Sequence, residues 1–179
     1  MIFQDREEAG KKLAVKVKGF VSGSARLPAR QGLVLGIPRG GVVTAKVVAE
    51  KLGWPLDVLR AKKIGAPGNP ELAIGAKVRS PYPKLSGVKQ VVLVDDGVAT
   101  GHTVEAGVKW LKANGVEKVI VAVPVAAKDS AKKLKKLAPH ARGKPEWVCL
   151  LEPENFYAVG QFYRHFPQVT DEEVREILV

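Results

Sequence analysis

The sequence predicts a single α/β domain in which a parallel β-sheet is flanked by helices. Short apolar runs that do not alternate with polar residues, such as residues 33–37 and 91–94, are typical of strands buried on both faces. Segments with apolar residues at helical spacing separate these runs. Strands that alternate with helices build parallel sheets through right-handed crossovers. The length of 179 residues matches one domain.

The first half of the chain contains two predicted helices and two predicted strands. Asp5 can cap the first helix with Glu8 as its capping-box partner, and apolar residues continue that helix to about residue 21. Gly53 marks the end of the second helix. After the first helix we predict a linker over 22–30, a strand over 33–37 and the second helix over 42–52. A strand over 56–61 follows Gly53.

Residues 64–84 are predicted to form a long mobile loop. They contain four prolines and three glycines, with room for a short strand pair around residues 72–78. Loops of this length are usually functional or disordered, and we expect a functional role here. The alternative is an ordinary surface loop.

The second half of the chain repeats the alternation of strands and helices. Its predicted elements are strands over 88–94, 118–125 and 147–151, a helix marked by Val104, Val108 and Leu111, a Lys-rich helix over 128–136, and a last helix that Thr170 and Glu173 cap and that ends at Leu178. The strand over 88–94 should be central. The chain thus divides into a helix and linker (1–30), an α/β core (31–152) and an aromatic-rich C-terminal segment (153–179).

The composition favours a polyanionic partner. The net charge is +11, and such a balance attracts either nucleic acid or a small polyphosphate. Nucleic acid is not favoured, because the Lys-rich helix is more simply explained as a solvated face. No apolar run has the roughly 20 residues that a membrane span needs. The sequence shows no signal-peptide core. Its one cysteine, Cys149, is predicted to be a buried, inert thiol, and one cysteine cannot form an internal disulfide. We therefore expect the chain in the cytoplasm.

The corner after the central strand carries the main functional signal. Asp95 and Asp96 end the apolar run, and a small-residue loop then leads into a helix. Backbone amides at such a corner favour an anion, whereas carboxylates suit a polyol, a cation or both. The pattern therefore indicates a sugar phosphate. The loop residues that would hold its phosphate are Gly97, Val98, Ala99, Thr100, Gly101, His102 and Thr103.

Other nucleotide-binding patterns fit this corner less well. A P-loop needs Gly-x4-Gly-Lys-Ser/Thr, but Gly97 and Gly101 are one residue too close and His102 replaces the lysine. No Gly-x-Gly-x-x-Gly follows any predicted strand. A buried strand that ends in a solvated turn is the remaining alternative.

A second corner follows the strand over 33–37. It consists of Pro38, Arg39, Gly40 and Gly41. Adjacent glycines let backbone amides approach an anion without a Cβ in the way. An ordinary strand-to-helix turn is the alternative, but two such corners in one sheet could hold the two ends of one molecule.

The motifs resemble those of the type I phosphoribosyltransferases. The resemblance rests on Asp95-Asp-Gly-Val-Ala-Thr-Gly, Pro38-Arg-Gly-Gly, Lys63-Ile-Gly-Ala-Pro-Gly and Glu152-Pro-Glu-Asn-Phe-Tyr. It covers nearly the whole chain and is closest to a bacterial and archaeal subfamily whose acceptor is undefined. It implies transfer of the phosphoribosyl group from phosphoribosyl pyrophosphate to a nitrogenous base, with release of pyrophosphate.

The resemblance also implies roles for particular residues. Asp95 and Asp96 would bind the ribose hydroxyls, the loop over 97–103 the 5′-phosphate, and residues 38–41 with Lys63 the pyrophosphate. Asp95, Asp96 and Lys63 are the candidate catalytic residues. Mg²⁺ would be the cofactor, held mainly by the substrate, with Asp95 or Asp96 as candidate ligands. Relatives of this fold commonly form homodimers, so a homodimer is expected.

The acceptor is not defined by these motifs. Purine salvage enzymes of this fold place an Asp where this chain has Ala99, and His102 is a weak replacement for that general base. Two further side chains have open roles: Glu71 in the long loop, and Arg39, which could face the diphosphate or a neighbouring subunit. A hood that stacks on the acceptor could be formed by Phe156, Tyr157, Phe162 and Tyr163. Equally, these rings could close the core or a dimer contact.

A second function remains open at this stage. Some proteins of this fold sense phosphoribosyl pyrophosphate and bind nucleic acid without turnover. Such a sensor needs the sugar-phosphate site but no acceptor pocket, and its lysines should cluster on one face. The net charge of +11 is compatible with it.

Overall fold

The computed structural model of the protein describes residues 1–21, 31–137 and 146–179. In these ranges the helices are α1 (Arg6–Val21), α2 (Gly40–Leu52), α3 (His102–Ala113), α4 (Lys128–Leu137) and α5 (Asp171–Leu178). The strands are β1 (Gly32–Gly36), β2 (Leu56–Val58), β3 (Ala61–Ala66), β4 (Asn69–Val78), β5 (Gln90–Val94), β6 (Lys118–Val125) and β7 (Trp147–Leu151). A 3₁₀ turn covers Val159–Phe162. The predicted linker over 22–30 lies outside the described residues.

A five-stranded parallel sheet forms the centre of the described structure. Its strand order is β2-β1-β5-β6-β7, so β5 is central, as predicted. Every residue of β1 and β5 is buried, because helices cover both faces of the sheet. This explains why these strands are apolar throughout instead of alternating.

Side-chain alternation along the strands divides the core into two layers. On one face, Val92 and Val94 of β5 pack with Leu13 of α1 and Val48 of α2. On the other face, Leu93 packs against α3 and α4. The helical spacing predicted for α3 is confirmed, because its apolar positions Val104, Val108 and Leu111 all belong to this second layer.

The region predicted as a long loop is largely a β-hairpin. Strands β3 and β4 pair antiparallel and form a separate two-stranded sheet. Pro67 and Gly68 make the turn, with Gly68 at φ +76°, and Pro followed by a left-handed Gly is the composition of a type II turn. The prediction of a loop is wrong for residues 64–78, because Pro67 lies at the turn and Pro70 beside the bulged register near Gly65 instead of breaking the strands. The strand expected around residues 72–78 is part of β4, and residues 79–84 are irregular as predicted.

The boundary between the second and third strands also differs from the prediction. A single strand was expected over 56–61. Instead β2 ends at Val58, and β3 begins at Ala61 in the other sheet. Leu59 is completely buried between them. The segment Leu56-Asp-Val-Leu-Arg-Ala61 contains no glycine or proline at this change of sheet, so the sequence pattern did not reveal it.

The predicted helix caps are confirmed. The Glu8 amide donates to Asp5 Oδ1 (2.8 Å). The Glu8 carboxylate accepts from the Gln4 amide (2.6 Å) and not from the amide of Asp5, as a full capping box would require. Thr170 and Glu173 form the full capping box, with distances of 3.1 and 2.6 Å. Gly53 ends α2 at φ +67°.

The thiol of Cys149 is an inert group. It donates to the Leu151 carbonyl oxygen at 3.2 Å, and burial raises its pKa to about 11. The thiolate is therefore scarce at neutral pH. Among the described helices none has the length and apolar character needed to cross a bilayer.

Candidate active site

The two predicted anion-binding corners lie side by side. Strands β1 and β5 pair in parallel with Gly36 opposite Val94, and the Ile37 amide donates to the Val94 carbonyl oxygen at 2.9 Å. Both chains therefore leave the sheet at the same edge. This is the carboxyl edge, where open α/β sheets bind ligands.

Two glycines allow the corners to touch. A Cβ on Gly41 would lie 2.9 Å from Oδ1 of Asp95, and a Cβ on Gly40 would lie 1.9 Å from Oδ2 of Asp96. Any larger residue would displace the acidic pair. The preceding Pro38–Arg39 peptide bond is cis, and the Arg39 side chain is exposed beside this corner.

The loop that follows the acidic pair surrounds a cavity of about 180 Å³. The predicted phosphate-binding residues contribute to its wall together with Asp95, Lys63 and a valine of the C-terminal segment. The lining residues are Lys63, Asp95, Gly97, Val98, Ala99, Thr100, Gly101, His102, Thr103, Val104 and Val159. Helix α3 begins at His102, so its first turn, with its unpaired amides, forms part of this wall.

Neighbouring elements hold this loop in place. The Val98 amide donates to the Val125 carbonyl oxygen (2.9 Å), and the Val98 carbonyl accepts from Ala127 (2.9 Å). The Ser130 hydroxyl donates to the carbonyl oxygen of Ala99 (2.5 Å). Gly101 adopts φ +80°, a left-handed conformation that favours glycine. The loop is therefore preorganised by β6 and α4.

The two carboxylates have different surroundings. Asp95 lines the cavity, and its Oδ1 accepts from the Asp96 amide at 2.9 Å. The pKa of Asp95 is raised well above its ordinary value, first by burial and then by the adjacent carboxylate of Asp96, while Lys63 acts in the opposite direction. A carboxyl group with a strongly shifted pKa in a cleft is typical of a functional site.

Arg6 is the partner of Asp96 and was not predicted as a site residue. Its Nε donates to Asp96 Oδ2 at 2.7 Å, and one terminal nitrogen donates to the Pro167 carbonyl at 2.7 Å. The guanidinium carbon lies 3.7 Å from the centre of the Phe166 ring. Arg6 is only 8% exposed. Nothing in its local sequence distinguishes it from the other charged residues of α1.

Lys63 reaches the cavity from the hairpin, not from the end of a core strand. It lies on β3 and lines the cavity opposite the phosphate loop. Glu71 is exposed on β4 and is not part of this cavity wall. Nδ1 of His102 is buried without a hydrogen-bond partner among the described residues.

The four aromatic candidates for an acceptor hood separate into two groups. Phe162 and Tyr163 are buried with Phe3 in a core cluster, and the Tyr163 hydroxyl donates to the backbone oxygen of Asp96 at 2.5 Å. For these two rings the structure agrees with the alternative that they close the core. Phe156 packs on Phe162 with ring centres 5.4 Å apart, whereas Tyr157 is 88% exposed.

Comparison with known proteins identifies the family. Residues 7–153 match the profile of the phosphoribosyl transferase domain. The chain belongs to the phosphoribosyl transferase domain family. This confirms the resemblance inferred from the motifs, and the family's match covers both corners and the hairpin.

Individual relatives agree with this family. A Mycobacterium tuberculosis protein named "Putative phosphoribosyl transferase Rv0571c" is 35% identical over 97% of this chain, which spans only 45% of that relative's length. The crystal structure of TT1426 from Thermus thermophilus is 36% identical, with a TM-score of 0.75 and coverage of 99% of this chain and 98% of that one. A purine phosphoribosyltransferase from Pyrococcus horikoshii shares the fold at 19% identity, with a TM-score of 0.56 and coverage of 91% and 94%.

The ion pair of Arg6 and Asp96 should contribute strongly to the stability of this family member. Arg6→Met leaves a carboxylate without its partner in a largely buried position, which typically costs about 3–5 kcal/mol. Urea denaturation measures this loss. In the double variant with Asp96→Asn the loss should be smaller than the sum of the two single losses. Lys12→Met breaks an exposed pair with Glu8 and a long cation–π contact with Phe3 at 5.7 Å, and should change stability little. Additive losses would show that the two residues do not interact.

The raised pKa of Asp95 predicts a pH-dependent stability. The folded protein binds the Asp95 proton more tightly than the unfolded chain does, so this group lowers stability as the pH rises from about 4 through the raised pKa. Asp95→Asn removes the charge and keeps an oxygen that can accept from the Asp96 amide. The variant should therefore melt above the unsubstituted protein at neutral pH, and the difference should shrink towards pH 4. Asp129→Asn on the exposed surface of α4 is the control, and an equal effect of both substitutions would contradict the assignment.

Proposed function

We propose that this phosphoribosyl transferase domain uses phosphoribosyl pyrophosphate and Mg²⁺ and transfers the phosphoribosyl group to a nitrogenous base. The contact between the two glycine-containing corners at the acidic pair carries this proposal. Asp95 lines the cavity inside the phosphate loop, and the corner at Gly40 and Gly41 lies against Asp96 and Asp95. A ribose that carries a phosphate at C5 and a diphosphate at C1 has the complementary distribution of charge.

Each end of this ligand has a separate set of groups. The amides of the first turn of α3 and the Thr100 and Thr103 hydroxyls would hold the 5′-phosphate. Backbone amides after Pro38, the Arg39 side chain and Lys63 would hold the pyrophosphate. Asp95 would accept hydrogen bonds from the ribose hydroxyls, since its carboxylate faces the cavity.

Asp96 has a more indirect role in this proposal. Its Oδ2 is bound by Arg6, so only the second oxygen is available to a ribose hydroxyl. The Arg6 charge lets two adjacent carboxylates coexist in a half-buried site, because it offsets part of their mutual repulsion. Arg6 thus positions Asp96 and does not itself contact the substrate.

The reaction requires positioning and electrostatic stabilisation more than proton transfer. As the bond between C1 and pyrophosphate breaks, positive charge develops on the ribose ring, and the Asp95 carboxylate is placed to stabilise it. The Lys63 ammonium can stabilise the negative charge on the departing pyrophosphate. The acceptor nitrogen then forms the new bond at C1 and loses its proton.

The acidic pair fits the chemistry of Mg²⁺. Carboxylate oxygens are the ligands that this ion prefers, and a cation beside Asp95 would offset the adjacent charge of Asp96, which raises the pKa of Asp95 in addition to burial. Asp95, and Asp96 through its free oxygen, are the residues that would hold the ion. Bound there with the substrate, it would neutralise charge on the leaving pyrophosphate.

The phosphate loop supplies no general base for the acceptor in this proposal. Ala99 supplies no carboxylate for a purine ring proton, and its carbonyl oxygen is already bonded to Ser130. The reaction therefore proceeds without a general base at position 99, or the acceptor binds with its nucleophilic nitrogen already deprotonated. A screen of purines, pyrimidines and heterocyclic acids for pyrophosphate release tests the function directly, and the absence of release with every acceptor would refute turnover.

Neutralising the acidic pair should weaken substrate binding without unfolding the protein. Each lost charge-assisted hydrogen bond is worth about 1.5–3 kcal/mol. Asp95→Asn combined with Asp96→Asn should therefore weaken phosphoribosyl pyrophosphate binding well over tenfold, as measured by calorimetry in the presence of Mg²⁺. Asp129→Asn should leave the affinity unchanged. Equal affinities of the double variant and the unsubstituted protein would exclude the ribose assignment.

The two ends of the substrate can be tested separately. Thr100→Val removes a hydroxyl from the cavity and should weaken binding of ribose 5-phosphate about tenfold, with little effect on pyrophosphate. Arg39→Gln should do the reverse, because its side chain lies beside the other corner. Calorimetric titration of both variants with both ligands checks this. If each substitution weakens both ligands equally, the two corners do not hold separate groups.

A further inference from the structure

The hairpin of β3 and β4 carries an unusual arrangement of positive charge. Lys62 and Lys77 are directly opposite each other in its antiparallel ladder. The Arg79 amide donates to the Arg60 carbonyl oxygen at 3.0 Å, which continues the register and places these two arginines opposite each other as well. We call the four residues the cationic hairpin face.

The cationic hairpin face lies on the side of the hairpin opposite to the core layer. Val78 is 5% exposed and packs in the core layer next to α3. Residues directly opposite in a ladder share a face, and successive residues alternate. Lys62 and Lys77 therefore lie on the opposite side of the hairpin from Val78, whereas Lys63 lies on the same side as Val78 and lines the cavity.

This arrangement is unfavourable in the protein alone. Like charges directly opposite in a ladder destabilise a sheet, and two such pairs lie in succession. Within residues 1–21, 31–137 and 146–179, none of the four cations forms an ion pair with a carboxylate. Lys62, Lys77 and Arg79 are also exposed. A surface that keeps uncompensated repulsion is suited to an anionic partner.

An aromatic ring borders the same surface. Tyr82 is 53% exposed and stacks on Trp110, with ring centres 5.4 Å apart and planes inclined by 16°. One face of the Tyr82 ring is therefore covered and held, which leaves the other face for a partner. Tyr82 lines a groove of about 600 Å³ together with Lys62, Lys77 and Arg79, and residues from both faces of the hairpin complete its wall: Lys63, Ile64, Gly65 and Val78.

We propose that the cationic hairpin face and Tyr82 bind single-stranded nucleic acid, a property beyond the phosphoribosyl transfer proposed above. A strand of phosphodiesters matches a row of cations in which successive pairs are about 7 Å apart along the hairpin. A base can stack on the free face of Tyr82. A cationic groove with an aromatic platform is the usual design of sites for single strands.

The test is fluorescence anisotropy with a labelled single-stranded oligouridylate over a range of salt concentrations. Lys62→Gln combined with Lys77→Gln should weaken binding at least tenfold at low salt. It should also reduce the slope of log affinity against log salt by about 1.4, which corresponds to two lost phosphate contacts. Tyr82→Leu should weaken binding about tenfold and leave the slope unchanged.

The matched control is Lys132→Gln combined with Lys136→Gln on α4. This variant removes two positive charges, as the hairpin variant does, from exposed lysines that form no ion pair within the described part of the chain. It should leave the affinity for the strand nearly unchanged. The hairpin variant should melt no lower than the unsubstituted protein, because it removes like-charge repulsion. A folded hairpin variant with lower affinity thus identifies a contact and not a loss of structure.

Three outcomes would overturn the proposal. An equal loss in both lysine variants would mean that net charge alone attracts the strand. Displacement of the strand by pyrophosphate would place it in the active-site cavity, which shares Lys63 with this groove. If a nucleoside triphosphate displaces the labelled strand at a concentration lower than the unlabelled strand needs, the groove is a site for free nucleotides.

Discussion

The parallel pairing of β1 with β5 is the constraint on which the candidate active site depends. It places Gly36 opposite Val94, so both strands release their chains at one edge of the sheet. Each chain then turns through a short corner into a helix. The amides of two helix starts and a pair of carboxylates therefore meet within a few ångströms. Only glycine at positions 40 and 41 permits this approach, since a Cβ there would overlap the acidic pair.

Residues from both ends of the chain hold the acidic pair in this arrangement. Arg6 from α1 binds Asp96, and it is itself held by Pro167 and Phe166 of the C-terminal segment. The Tyr163 hydroxyl bonds to the Asp96 backbone. Such a partly buried polar network is rigid where its members are satisfied and costly where they are not. The carboxyl group whose pKa is raised, first by burial and then by the adjacent Asp96, is that of Asp95, and Asp95 also lines the cavity.

The hairpin shows how one local sequence can serve two sides of a structure. Lys62 and Lys63 are adjacent, but strand alternation sends Lys63 to the cavity and Lys62 to the outer face. As part of a loop, these two lysines would share one surface. As part of a strand, they leave the backbone on opposite faces of the hairpin, although both also line the groove beside Tyr82. The same alternation brings Lys62 opposite Lys77 and produces the concentrated charge of the outer face.

By itself, the sequence determined the α/β class, the central position of β5, the helix caps and the two glycine corners. These features depend on apolar periodicity and on residues a few positions apart, which sequence patterns record directly. The tertiary structure alone decided that Arg6 pairs with Asp96, 90 residues away, that Phe162 and Tyr163 are core residues, and that the long loop is a hairpin. In each case the deciding energy comes from burial and pairing between distant segments. A local pattern cannot specify this energy, because it does not record which distant segment will cover a given arginine, aromatic ring or proline-rich stretch.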